Sequence, residues 1–118
     1  MSAHSLLDKI KTQPEAIIFD EVMAFIADHY HYTPTRFRNG EGKNIVVNEA
    51  GKNEGSCKIF AFAQLNGLSE QETMACFGSY YRDDVLAHPE GQDHANIRTF
   101  MQHGWAGIQF DGDALVAR

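Results

Sequence analysis

The chain has 118 residues, 43% of them hydrophobic, which is the length and composition of one domain with a single core. Sixteen acidic and ten basic side chains give a formal net charge of −6 at pH 7. Because proteins that bind nucleic acids or anionic membrane surfaces carry a basic excess, this charge argues against both kinds of partner.

The sequence predicts neither a membrane span nor a Sec export signal. The longest apolar run covers residues 22–27, whereas a helix needs about twenty apolar residues to cross a bilayer. The first ten residues contain no basic segment followed by an apolar stretch. The two cysteines, Cys57 and Cys76, are therefore expected to be free thiols rather than a disulfide.

The first part of the chain predicts two helices. Residues 5–13 form a short amphipathic pattern. Residues 12–15, Thr-Gln-Pro-Glu, combine a capping Thr, an early Pro and a Glu, so they predict the start of a second helix that runs to about Tyr30. Its predicted buried stripe consists of Ile18, Val22, Phe25, Ile26 and Tyr30.

Residues 31–55 predict a long loop with little regular structure. Pro34 and the pair Asn39-Gly40 favour turns, and residues 44–48 predict one short strand. Loops of this length inside a compact domain are usually functional or disordered. Phe37 and the apolar run in the strand indicate that this loop packs against the domain.

Three further helices are predicted after residue 55. Ser56 is expected to cap a helix from Cys57 to about Asn66, which is apolar nearly all round and so belongs at the centre of the domain. A capping box at residues 69–72 opens the next helix, which is expected to reach Leu86.

Asp93 is predicted to cap the last helix, and Gly104 to end it. The pair Asp111-Gly112 then suggests a hairpin turn. The sequence as a whole predicts a mainly α fold: about five helices and two or three short strands in one compact domain over residues 1–118.

Several ordered blocks of this sequence resemble the HopJ type III effector family. They extend over roughly residues 15–110. The blocks are Tyr32-Thr33-Pro34, Asn39-Gly40, Asn48-Glu49-Ala50-Gly51, Asn53 to Lys58, Phe77-Gly78, Tyr80 to Asp83, Asp93-His94-x-Asn96-Ile97-Arg98 and Gly104-Trp105.

The resemblance implies a small bacterial protein that a type III secretion system delivers from the bacterial cytoplasm into a host cell. It implies no activity, cofactor or catalytic residue. We therefore expect a non-enzymatic interaction protein that engages a host or bacterial protein through a surface near residues 31–55. The alternative is a small-molecule-binding domain, or a Cys-dependent hydrolase or acyltransferase, in the bacterial cytoplasm.

A catalytic role would fall to Cys57, His94 and Asp93. If Ser56 caps its helix, Cys57 lies in the first turn, where the helix dipole and Lys58 favour the thiolate. His94, oriented by Asp93, could then act as the base. No family-specific catalytic motif surrounds the cysteine, so the other interpretation is a packed core thiol.

A binding role would fall to a set of polar residues at helix ends. Two arginines in that set could clamp a small anionic ligand through its carboxylate or phosphate. The other interpretation is a structural network that satisfies loop backbone groups. The candidate binding residues are Asn53, Glu54, Arg82, Asn96 and Arg98.

No cofactor or metal site is predicted. The six histidines lack the ligand spacing of a zinc site. Gly51-Lys52 and Gly40-x-Gly42 lack the remaining residues of nucleotide-binding loops.

Overall fold

The structure is a computed structural model that describes residues 3–118. It is mainly helical, as the sequence predicts, with five short strands among the described residues. A π-helix over Tyr80–Val85 follows α4, and single 3-10 turns occupy Pro14–Ala16, Gly42–Asn44 and Gly104–Gly107. The α-helices are α1 Ala3–Thr12, α2 Phe19–His29, α3 Glu54–Leu65, α4 Glu70–Ala75 and α5 Ala95–His103.

The strands form two small antiparallel sheets. One has two strands in the order β1-β5, and the other has three in the order β3-β2-β4. Each sheet therefore joins a strand from the 31–55 region or its border to a strand from the end of the chain. The strands are β1 Tyr30–Tyr32, β2 Phe37–Asn39, β3 Val46–Asn48, β4 Gln109–Phe110 and β5 Leu115–Ala117.

The second helix begins later than the sequence predicts. The Thr12 hydroxyl donates to the Asp8 carbonyl and so ends α1 rather than capping a new helix. The Pro14 turn stops at Ile17, whose backbone is extended, and α2 begins at Phe19. This shift changes which residues are buried: Ile17 is fully buried, whereas Ile18 is 58% exposed, contrary to the prediction.

The region predicted as a long loop is a β-hairpin. Strands β2 and β3 pair in register from Phe37 opposite Asn48 to Asn39 opposite Val46. Phe37 is fully buried, as expected, but Val47 remains 45% exposed. The hairpin packs inward through one face only, which is the usual behaviour of an antiparallel sheet over a core.

Two further predicted helix caps are wrong, and one is confirmed. Asn53 and His94, rather than Ser56 and Asp93, are the caps of α3 and α5. Both true caps adopt left-handed backbone conformations. The pattern that predicts a helix cap assumes a Ser, Thr or Asp residue with an extended backbone, so it does not find them. The predicted capping box of α4 is present, since Ser69 and Glu72 exchange hydrogen bonds.

The predicted hairpin turn at Asp111-Gly112 is also wrong. The strands on either side of it, β4 and β5, belong to different sheets. The turn instead carries the chain from one sheet to the other. Helix α3 lies at the centre, as predicted, and buries an almost complete circumference: Cys57, Ile59, Phe60, Ala61, Phe62 and Ala63.

Candidate functional site

An open groove of about 420 Å³ lies where five parts of the fold meet. The start of α2, strand β3, the π-helix and the first turns of α3 and α5 form its walls. It combines aromatic and polar surface, a mixture typical of binding sites. Its lining consists of Phe19, Val46, Asn53, Gly55, Ser56, Phe77, Tyr80, His94, Ala95, Asn96 and Ile97.

Two helices begin at this groove. Asn53 caps α3 with φ 49°, and His94 caps α5 with φ 52°. Their carbonyls accept the first intrahelical bonds, from the Cys57 N–H at 3.0 Å and the Arg98 N–H at 3.1 Å. Neither cap side chain bonds its own helix. The first-turn N–H groups, which have no partner inside an α-helix, are therefore not satisfied by their caps.

Aromatic side chains form another part of the groove lining. The rings of Phe19 and Tyr80 meet edge to face, with centroids 5.1 Å apart. The Tyr80 ring also contacts the His94 imidazole at 5.4 Å. Because Tyr80 is 42% exposed, this wall offers apolar surface to an incoming group.

His94 is held by acidic neighbours rather than by its helix. Its Nε2 lies 3.0 Å from Asp84 Oδ2 on the π-helix and 3.7 Å from Asp93 Oδ2. The imidazole is thus bonded to the π-helix, and the His94 side chain makes no hydrogen bond to the first turn of α5. The π-helix thus contributes Tyr80 to the groove lining and Asp84 to the support of His94. Such helices are rare in proteins, and those that occur are often found at functional sites.

An asparagine cluster joins the two helix starts to the hairpin. It consists of Asn39, Asn48, Asn53 and Asn96, of which Asn53 and Asn96 line the groove. Asn48 and Asn96 exchange two side-chain hydrogen bonds, of 3.0 and 2.8 Å. Asn39 donates to the Asn96 carbonyl at 2.8 Å, and Asn53 donates to Asn48 Oδ1 at 2.6 Å. Asn39, Asn48 and Asn96 are buried.

The two candidate arginines do not form a clamp at the groove. Arg82 donates to the carbonyls of Pro14 and Ile17, at 3.2 and 2.6 Å. Arg98 donates to the His88 carbonyl and to both the carbonyl and the carboxylate of Asp93. Neither guanidinium lines the groove. These contacts fit the structural interpretation of both arginines, and a binding role for Arg82 and Arg98 stays a prediction that the contacts do not support.

Asp93 is part of this structural network. The Arg98 guanidinium lies 2.7 Å from its carboxylate. That hydrogen-bonded ion pair lowers the pKa of Asp93 below its ordinary value. Asp93 contacts His94 as predicted, but as one of two acidic neighbours and without lining the groove.

Cys57 lies outside the groove. It is 1% exposed, and its thiol donates to the Thr35 carbonyl at 3.6 Å. Burial raises the pKa of this thiol above its ordinary value. Since α3 begins three residues earlier, at Glu54, the argument for a thiolate stabilised by the first turn is wrong. A catalytic Cys57 stays a prediction that has lost this physical basis.

Glu54 begins α3 but faces away from the groove lining. It neighbours Tyr32: burial, and then the nearby Glu54 carboxylate, raise the pKa of the Tyr32 phenol above its ordinary value. Lys58 places its ammonium 4.7 Å from the centre of the same ring. Of the five predicted binding residues, only Asn53 and Asn96 line the groove.

Sequence reasoning missed several parts of the site. Phe19 and Asp84 gave no signal, because an aromatic residue at a helix start and one acid in an acidic run are ordinary features. Asn39 was considered only as a turn former. The repeated asparagines near residues 39–53 were the available signal, since buried amides need one another as partners.

No group of three or more His, Cys, Asp or Glu side chains among the described residues is placed to hold one metal ion. No helix within residues 3–118 is long and apolar enough to cross a membrane.

Fold and site together define a small, mainly α protein with an amphipathic groove at two helix starts. The family model described as HopJ type III effector protein matches residues 3–115. The chain therefore belongs to the HopJ type III effector family, as its resemblance implied.

A solved structure has the same fold. It is described as the crystal structure of unknown function protein VPA0580 and is 51% identical in sequence, with a TM-score of 0.94. The match covers 100% of this chain and 95% of that one. No curated protein gives a significant match to the chain.

Proposed function

We propose that this protein acts as a type III effector that binds a host-cell protein through the groove, without covalent catalysis. Family membership supports the effector role. The observation that carries the binding role is the groove itself, in which a partly exposed aromatic wall faces hydrogen-bonding groups at two helix starts. The expectation of a partner surface near residues 31–55 agrees with this position, because Val46 and Asn53 line the groove.

The groove has the surface chemistry of a protein interface. Aromatic residues are enriched at the centres of such interfaces, where they supply most of the binding energy. Tyr80 presents part of its ring there, and Ile18, the neighbour of Phe19, is 58% exposed. First-turn N–H groups, which the caps leave free, suit acceptors on a partner segment.

Binding is favoured over catalysis because the groove lacks an activated nucleophile. The Cys57 thiol is buried elsewhere, and its raised pKa keeps it protonated at neutral pH.

A translocation assay tests the effector role. The chain is fused to a reporter that is active only in host cytosol, and delivery is compared between bacteria with and without a working type III apparatus. We expect a signal that depends on the apparatus. A stable fusion that gives no apparatus-dependent signal would contradict the effector role.

Site-specific photo-crosslinking in host cytosol tests the groove. A crosslinking residue replaces Ser56, which lines the groove, or Gln64, which is exposed at the other end of α3. We expect one host protein crosslinked at position 56 and not at 64. Tyr80→Ala should abolish that product, whereas Leu65→Ala, at a side chain 59% exposed outside the groove, should not. Equal crosslinking at both positions would contradict the groove as the binding surface.

A further inference from the structure

One buried side chain joins the two helix starts of the groove. Asn48 Oδ1 accepts a hydrogen bond from Asn53 Nδ2 at 2.6 Å and another from Asn96 Nδ2 at 2.8 Å. Asn53 caps α3, and Asn96 is the second residue of α5. Asn48 itself is 1% exposed and does not line the groove. It therefore contacts both walls without being accessible to a partner.

The hairpin strands complete this connection. Asn96 Oδ1 accepts from Asn48 Nδ2 on β3 at 3.0 Å and from Asn39 Nδ2 on β2 at 3.1 Å. Asn48 and Asn96 each donate and accept at once, which an apolar or singly functional side chain cannot do. The start of α5 is thus bound to both strands of the hairpin through Asn96. The start of α3 is bound through Asn53 to the Asn48 carboxamide, which also bonds Asn96.

Such a cluster responds to disruption as a unit. If the start of α5 separates from the hairpin, the buried side chains of Asn39, Asn48 and Asn96 lose partners, and if the start of α3 separates, Asn48 Oδ1 loses one of its two donors. We propose that the asparagine cluster couples the first turns of α3 and α5, so that the two walls of the groove open and close together. This inference goes beyond the proposed function, because it holds whether or not a host protein binds there.

Amide hydrogen exchange on the full chain measures this coupling directly. The reporters are the Cys57 and Arg98 amides, which donate to the cap carbonyls and are lost when their helix starts open. We expect equal protection at these two amides and stronger protection at buried α2 residues, which report global unfolding. Unequal protection of the two reporters, or protection equal to that of α2, would overturn the proposal.

Three variants separate coupling from general destabilisation. Asn48→Ala should accelerate exchange at both reporters by about tenfold, which corresponds to about 1.4 kcal/mol, relative to α2 amides. Asn53→Gly suits the left-handed backbone and removes one bond to Asn48, so it should accelerate Cys57 alone. Asn66→Ala is the matched control, because Asn66 makes two side-chain bonds at the far end of α3.

The asymmetry between these variants decides the proposal. If Asn53→Gly accelerates both reporters equally, or Asn48→Ala accelerates only one, Asn48 is not the connecting residue and the proposal fails. Asn66→Ala should leave both reporters unchanged relative to α2. If Asn48→Ala does not fold, the wild-type comparison and Asn53→Gly still test the coupling, because both use a folded chain.

Discussion

Arg98 shows how the surroundings of one residue decide between two chemical roles. Its guanidinium could bind an anion, but it is already bound to the Asp93 carboxylate and to two carbonyls of the preceding loop. Only 15% of its side chain is exposed. These bonds close the loop between the π-helix and α5, so the residue contributes to stability.

Arg98→Ala should therefore lower the free energy of unfolding by about 2 kcal/mol, because three charge-assisted hydrogen bonds of a largely buried guanidinium are lost. Urea unfolding at neutral pH measures this change. Arg38→Ala, at an exposed residue of β2, is the matched control and should change stability by less than about 0.5 kcal/mol. Equal effects of the two substitutions would contradict the structural role of Arg98.

The buried thiols give the protein a specific sensitivity to alkali. Burial raises the pKa of Cys76 from 9.0 to about 12, and it raises the pKa of Cys57 in the same direction. Above pH 9 the thiols of the unfolded chain ionise while those of the folded chain do not. Folding then becomes less favourable, so stability is retained below pH 9 and falls between pH 9 and 12.

At about pH 10.5 the Cys76 thiol alone should cost about 2 kcal/mol of stability. Urea unfolding of the wild type and of Cys76→Ala at about pH 8 and about pH 10.5 checks this expectation. Cys76→Ala should be less stable at the lower pH, because it leaves a cavity, but should lose less on going to the higher pH. Parallel losses in both proteins would contradict a raised Cys76 pKa.

At the scale of elements, the helix starts and ends depend unequally on local sequence. The α4 capping box is complete within four residues, so the sequence predicted it. The caps of α3 and α5 have partners outside their own helices: Asn53 bonds Asn48 on β3, and His94 bonds Asp84 on the π-helix. Their positions could therefore not be found from local pattern alone.

The conformation after the end of α4 also depends on a contact with another element, which Gly78 makes with the start of α2. Its φ is +61°, and an added Cβ would lie 2.8 Å from the Phe19 backbone nitrogen. Gly67 has a similar φ of +64°, with nothing within 4 Å of an added Cβ. The two glycines differ in packing and share their conformation, so they form a matched pair.

Gly67→Ala should destabilise the protein by about 1 kcal/mol, the usual cost of a left-handed backbone. Gly78→Ala should cost about 3 kcal/mol, because α4 must also move away from the start of α2. Thermal and urea unfolding of both variants measure the difference. Similar losses would show that the contact between Gly78 and Phe19 does not constrain the fold.

At the scale of the whole molecule, one core connects the two ends of the chain. Leu6 of α1 and Leu115 of β5 belong to the same buried cluster, and each is less than 5% exposed. Strand β5 pairs with β1, which lies more than eighty residues earlier. This arrangement supports the prediction of a single domain.

Leu6→Ala and Leu115→Ala should each lower stability by about 2–5 kcal/mol, as expected for truncated core side chains. Both should shift the same single unfolding transition, followed by circular dichroism and by fluorescence of Trp105, the one tryptophan. Leu65→Ala, at an exposed position, is the control. Separate transitions for the two core variants would contradict a single domain.

The sequence by itself determined the mainly α class, the central position of α3, the α4 capping box and the family. Each follows from periodicity, from residues adjacent in the chain or from ordered sequence blocks. Only the tertiary structure decided the β2–β3 hairpin, the shifted start of α2 and the groove. Three-residue strands are too short to produce a periodic pattern, and their pairing depends on residues far apart in the chain. At the groove, Asn48 bonds both Asn53 and Asn96, across up to 48 positions of sequence, and no local pattern encodes that contact.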